Sequence, residues 1–187
     1  MIITPLGIEG AWVAESSVWK DDRGSFHEWF KLSDIEKATN RKFDLEQANV
    51  SSSKKGTIRG IHYSLAAKGQ AKWITCISGS IRDVVVDIRP ESKTFGKWIA
   101  VDLYGNSGKA VFCSEGLGHG FISLENNSTV AYLTTSTYSP TEEFDINPLD
   151  ETLGIDWKLE LEDFIISEKD RNAPGLDQRR TEGKLPI

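Results

Sequence analysis

Cysteine is nearly absent from this chain: Cys76 and Cys113 are the only two in 187 residues. Two thiols in strand-like apolar context cannot frame a disulfide-stapled fold, and they are read as buried and reduced. Histidine is almost as scarce, with only His27, His62 and His119. That is too few for a centre that binds zinc, iron or manganese through several imidazoles. No apolar run reaches the 18 residues of a membrane-spanning helix. The opening "MIITPLGIEGAW" lacks a basic segment followed by a long apolar one, so no secretory signal is expected. Positive charge is in deficit, with 22 Lys and Arg against 28 Asp and Glu, a formal net charge of -6. That balance repels nucleic acid and anionic membranes, so neither is an expected partner. Any anionic ligand must be held by a local cluster of Arg and Lys. The expectation is a cytoplasmic protein of one domain, 1–187, long enough to bury a sizeable core.

What is present is a succession of short β-type runs between turn signals. They include "GAWVAESSVW", "SFHEWF", "TIRGIHYSL", "KWITCISGSIRDVVVDIR", "KWIAVDLYG", "KAVFCSEG", "GFISLE" and "STVAYLTTSTY". Many short strands and little helix predict an all-β sandwich or barrel. Ser78–Ser80 reads as the turn of a hairpin, and Gly105–Gly108 as another turn. The one strong helix candidate in the first half is Ser33–Asn40, with Ser33 as N-cap and Glu36 completing a capping box. From Ser139 onward Pro140, Pro148, Pro174 and Pro186 break the pattern. That stretch reads as a surface wrap with short helices and a mobile tail.

Strand alternation then groups the side chains that could carry chemistry. In "GTIRGIHYSL", His62 shares a face with Ile58 and Ser64, while Arg59, Ile61 and Tyr63 point the other way. Gly60 lies between, and a bulge there would re-aim Arg59 into the cavity of His62. Gln47, Asn49 and Ser51 alternate and share a face, and Tyr132 shares parity with Val130, Thr134 and Tyr138. Lys72 opens the apolar strand "KWITCIS". A lysine there either snorkels to solvent or aims an ammonium at developing negative charge. Asp170 ends "ISEKD" near a turn. Taken singly, each has an ordinary structural reading as well: a packed ring for Tyr132, a cap or solvated charge for Asp170, a polar surface for Gln47 and Asn49. A metal reading fails on count. A metal-holding barrel of this kind uses a His-x-His pair, a nearby Glu and a later His. Here the pair reads His62-Tyr63-Ser64, and no Glu lies between Ser64 and Glu91. If the barrel is catalytic, its chemistry must be acid–base, with no metal.

Six segments in order carry a family resemblance: "DRGSFHEWF" at 22–30, "QANVSSSKKGTIRGIHY" at 47–63, "QAKWITCISGSIRDVVVDIRPESKTFGKW" at 70–98, "SEGLGHGF" at 114–121, "YLTTSTYSP" at 132–140 and "SEKD" at 167–170. Together they resemble the dTDP-4-dehydrorhamnose 3,5-epimerase family, metal-free cupin-like jelly rolls built as double-stranded β-helices with a few short peripheral helices. The resemblance implies a dTDP-linked 4-keto-6-deoxy sugar as substrate and a homodimer whose N-terminal strand crosses to the partner. It implies His62 as the base for the protons at C5 and C3, oriented by Asp170. Lys72 would stabilise the enolate, and Tyr132 would be the proton donor on the opposite face. Arg23, Arg59 and Lys169 resemble diphosphate contacts; Gln47, Asn49 and Glu28 resemble nucleotide contacts; Phe26, His119 and Tyr138 would wall the cavity. The chain departs from the family at "SLAAKG" after the His-Tyr pair, at Gly118 and at "NPLD" near residue 150. Those departures leave room for relatives that epimerise one carbon only. The reading from another class is an inactive barrel that binds nucleotide sugars, which would have no need of His62, Lys72, Tyr132 and Asp170 together.

Overall fold

The computed structural model describes residues 1–186. Its strands run in chain order β1 (Ile2–Pro5), β2 (Ala11–Glu15), β3 (Trp19–Asp21), β4 (Gly24–Phe26), β5 (Gln47–Ser53), β6 (Thr57–Ser64), β7 (Lys72–Ser78), β8 (Ser80–Asp87), β9 (Trp98–Tyr104), β10 (Lys109–Cys113), β11 (Leu117–Ser123), β12 (Ser128–Thr134), β13 (Glu143–Asp145) and β14 (Ile165–Ile166). Three short helices accompany them, α1 (Leu32–Thr39), α2 (Glu168–Arg171) and α3 (Leu176–Thr181). One sheet has the order β1-β2-β10-β7-β12-β5, and the other β13-β6-β11-β8-β9, with β14 parallel to β6. β3 and β4 form a separate hairpin.

The sheets face each other across a shared layer. Ile74, Cys76, Val111 and Val130 from the first sheet pack with Ile81, Val85, Leu103 and Phe121 from the second. This is the double-stranded β-helix of a jelly roll, as expected. The outer faces are covered too, which explains why "KWITCIS" and "VVVDI" do not alternate between polar and apolar. On the first sheet Trp73, Phe112 and Leu133 point outward against Ile35 of α1 and Phe43. On the second, Ile61, Tyr63, Val84 and Val86 point outward under Ile146, Trp157, Leu176 and Leu185 of the C-terminal segment. Each such aliphatic side chain, taken fully from water, contributes about 1.5–3 kcal/mol.

Three local expectations are corrected. Ser78–Ser80 is not a hairpin turn. β7 pairs with β10 and β12 while β8 pairs with β9 and β11, so the chain changes sheets there. Gly79 makes the crossing at φ +74, and a Cβ on it would meet Ser128 Cα at 2.8 Å. The Gly105–Gly108 turn forms as expected, and it too joins strands of different sheets. The first helix starts one residue early, at Leu32, with Lys31 at its N-cap and no side-chain cap. Glu36 Oε1 accepts instead from the Phe43 backbone N–H at 3.3 Å, closing the loop after the helix. The tail is docked rather than free: Leu185 is buried, and Tyr63 Oη donates to the Lys184 carbonyl at 2.5 Å.

Candidate active site

The layer between the sheets is apolar at one end and polar at the other. Inward parity along β7 runs Lys72, Ile74, Cys76, and along β12 Val130, Tyr132, Thr134, so Lys72 and Tyr132 continue the core row into an open cavity. The cavity has two adjoining lobes of about 200 and 170 Å³ that share His62, Lys72 and Tyr132. The outer lobe adds Gln47, Asn49, Tyr138, Asp145 and Lys169; the inner adds Ser51, Arg59, His119 and Phe121.

Gly60 bends β6 as its sequence context suggested. His119 pairs with His62 and Phe121 with Arg59, so the single residue Gly120 faces both Gly60 and Ile61. One extra residue on β6 puts Arg59 and His62 on the same face while Ile61 joins the outer core. Gly60 has φ +137, and a Cβ there would lie 2.5 Å from Gly120 Cα, so only glycine fits this approach of the two backbones.

His62 Nε2 lies 2.9 Å from Asp170 Oδ1. Asp170 comes from α2, capped by Ser167, whose Oγ accepts the Asp170 N–H at 3.0 Å. Burial pushes the Asp170 carboxyl up, but hydrogen bonds from His62, Ser167 and the Gly60 backbone outweigh it and hold the group below its ordinary range. Asp170 therefore stays ionised and fixes the Nε2–H tautomer, leaving Nδ1 as the basic nitrogen. Lys72 is buried, and its ammonium donates to the His62 carbonyl at 3.3 Å. Burial lowers its pKa, and Cys113, Glu143, Asp83 and Asp145 act against that. Tyr132 stands on the opposite sheet from His62, its phenol pushed up by burial and pulled back by Arg59. His119 Nε2 bonds Asp83 Oδ2 at 2.7 Å, a second His–Asp pair and a buried one. Arg59 Nε donates to Ser53 Oγ at 3.2 Å. Gln47 Nε2 donates to Asn49 Oδ1 at 2.7 Å and its Oε1 accepts from the Tyr138 backbone, locking the polar rim.

A family model described as dTDP-4-dehydrorhamnose 3,5-epimerase matches residues 5–178. The chain belongs to that family. It is 41% identical over 186 residues to a dTDP-4-dehydrorhamnose 3,5-epimerase of Mycolicibacterium smegmatis, covering 100% of this chain and 91% of the relative. Among solved structures, a 4-keto-6-deoxy sugar epimerase from the novobiocin biosynthetic gene cluster of Streptomyces spheroides superposes with a TM-score of 0.96 at 41% identity, covering 100% and 93% of the two chains. A 3'-monoepimerase from Streptomyces bikiniensis, solved with dTDP-quinovose, superposes with a TM-score of 0.93 at 43% identity over 98% and 92%.

Against the residues that the family resemblance implied, the structure gathers His62, Lys72, Tyr132, Asp170, Gln47, Asn49, Arg59, His119, Tyr138 and Lys169 around this one cavity. Arg23, Phe26 and Glu28 are not brought there by their own chain. Arg23 and Phe26 sit on the β3–β4 hairpin, Phe26 66% exposed with its ring tilted against Trp19, and Arg23 paired with Asp21 at 2.6 Å. Glu28 is exposed just beyond it. The hairpin makes no sheet with the barrel, so the fold of one chain leaves these three at the surface.

Alternation along strands did not single out Gln70, Glu143 and Asp145. Gln70 Nε2 donates to Ser136 Oγ at 2.9 Å and Glu143 Oε1 at 3.2 Å. Asp145 lies opposite His62 in the β13–β6 register, with Oδ1 3.6 Å from His62 Nε2. His62, Asp145 and Asp170 thus crowd their donor atoms within 4.8 Å of one another. The set does not suit a metal, because Nε2 is spent on Asp170 and the Lys169 ammonium already holds Asp145 Oδ1 at 3.0 Å. Extensive chelation should leave the rate of any reaction here unchanged. Loss of activity restored by one divalent ion would refute this.

Proposed function

We propose that this chain is a metal-independent epimerase of dTDP-linked 4-keto-6-deoxyhexoses that inverts C3 and C5 through an enolate, the step leading to dTDP-L-rhamnose. The observation that carries the reading is His62, backed by Asp170 at 2.9 Å, facing Tyr132 across a cavity that also holds the Lys72 ammonium. Epimerisation has no net redox change and needs no cofactor. His62 Nδ1 takes the proton alpha to the C4 ketone, and the electron pair moves onto the C4 oxygen. The enolate charge falls beside Lys72, whose buried ammonium is worth more there than in water. The Tyr132 phenol, which burial keeps protonated and Arg59 keeps acidic enough to donate, returns a proton to the other face. Exchange with water then resets the imidazolium and the tyrosinate. Arg59 and Lys169 meet the diphosphate, which explains how a chain of net charge -6 holds an anion. The substrate class makes this a cytoplasmic enzyme.

A second reading, epimerisation at one carbon only, is favoured by the 43% identity to the Streptomyces bikiniensis 3'-monoepimerase. Washing solvent deuterium into the substrate separates the two, because it reports which carbons lose protons.

The enzyme works as a homodimer. The exposed Trp19 and Phe26 and the exposed Arg23, held only by its neighbour Asp21, on a hairpin outside the barrel suit a reach into the partner's cavity, with Glu28 following. The expected solution mass at micromolar concentration is twice that of one chain. Arg23→Ala should weaken dTDP binding about tenfold while leaving the barrel intact, by loss of a charged contact of roughly 1.5 kcal/mol. A fully active monomer would contradict both statements.

A further inference from the structure

Two carboxylates, not one, flank the imidazole of His62. Asp170 Oδ1 holds Nε2 at 2.9 Å, and Asp145 Oδ1 lies 3.6 Å from the same nitrogen. The second carboxylate is not free. The same Oδ1 accepts from the Lys169 ammonium at 3.0 Å. Asp145 is otherwise fixed: its side chain is 11% exposed, its backbone lies in register with His62, and its carbonyl accepts from Arg179 Nε at 2.9 Å. Lys169, by contrast, is 62% exposed at the mouth of the cavity. One oxygen atom therefore stands between a histidine inside and a lysine at the entrance.

We propose that Asp145 is a second positioning residue for His62 and that Lys169 governs how much of its charge reaches the ring. When His62 takes a proton it becomes an imidazolium between two carboxylates, and both favour that charged form. Lys169 draws part of the Asp145 charge away from the ring. An anion bound at Lys169 satisfies the ammonium and returns Asp145 to the histidine. Binding of the diphosphate thus strengthens the base at the moment the sugar arrives. This last link rests on the reading of Lys169 as a diphosphate contact; the pairing of Asp145 with His62 does not.

The other charged or titratable groups around His62 are accounted for. Arg59 shares its strand, Lys72 comes from β7, His119 from β11 and Tyr132 from β12. Glu143 shares β13 with Asp145, and Asp170 shares α2 with Lys169. Among these described residues Asp145 alone contacts both the His62 ring and a cation at the cavity mouth.

The test is an NMR titration of the His62 ring in the ligand-free protein, where only three histidines have to be resolved. Asp145→Asn should move the His62 midpoint to lower pH, by about one unit, since it removes one negative neighbour of the imidazolium. Lys169→Met should move it to higher pH. In the Asp145→Asn background, Lys169→Met should move it less than half as far, because its lever is gone. Asp145→Glu should recover part of the shift. If Asp145→Asn does not fold, Asp145→Ser carries the same expectation. A midpoint unchanged without the carboxylate, whatever happens to the melting temperature, overturns the pairing. An equal effect of Lys169→Met with and without Asp145 overturns the control by Lys169. Saturating dTDP should raise the midpoint more in the parent than in Asp145→Asn; equal rises, or no dTDP binding, overturn the link to the diphosphate and leave the pairing standing.

Discussion

His62→Ala is expected to lower proton exchange at the sugar's alpha carbons by about 10²–10⁴-fold, the range that a positioned general base supplies. Binding of dTDP should survive, because Arg59, Lys169, Gln47 and Asn49 are untouched and line the same cavity. The fold should survive too. His62 is 36% exposed at its side chain, so little packing is lost. Removing the ring leaves the Asp170 carboxylate with the Gly60 backbone donor and the Ser167 hydroxyl beside it, so no bare buried charge results. Asp170→Asn should cost less than His62→Ala, since it alters the tautomer and charge of the base without removing it. Isotope exchange and dTDP affinity, measured on the same preparations, separate the two effects. Substantial exchange in His62→Ala would mean that another group takes the proton.

Tyr132→Phe is expected to divide exchange from inversion. A base on one face can remove a proton and return one to the same face, which exchanges the isotope but inverts nothing. Inversion needs an acid across the ring, and Tyr132 lies on the sheet opposite His62. The Phe variant should still wash deuterium into at least one carbon while forming inverted product about 100-fold more slowly or worse. Its stability should barely change. Among the described residues the Tyr132 hydroxyl has no hydrogen-bond partner, so even the ordinary loss of about 1 kcal/mol for a buried bond does not apply in full. Inversion of both carbons at the parental rate would move the acid role to water or to another side chain.

Much of this site was legible along single strands. Alternation put Gln47, Asn49 and Ser51 on one face and Val130, Tyr132 and Thr134 on another, and both groups line the cavity. The bulge at Gly60 could be read because a glycine between Arg59 and His62 has few other uses. What alternation cannot give is pairing between distant strands. Asp145 faces His62 only because β13 adds to the edge of β6, and the irregular "EEFDINP" around it carries no strand period. The hairpin misread at Ser78–Ser80 has the same cause. A tight glycine turn looks alike whether the next strand returns beside the last or crosses to the other sheet. The helix cap failed for a local reason, since Glu36 found a backbone partner at Phe43 instead of the helix start. The roles of Arg23, Phe26 and Glu28 came from family likeness, and one chain by itself keeps them apart from the cavity.

The most direct test of the central claim is incubation of the protein with dTDP-4-keto-6-deoxyglucose in heavy water, followed by NMR at the sugar carbons. The double-epimerase account predicts deuterium at both C3 and C5, and inverted product. Deuterium at one carbon alone would assign the chain to the single-carbon epimerases of its family. No incorporation at either carbon, with dTDP still bound, would contradict the account and leave a barrel that holds nucleotide sugars without turning them over.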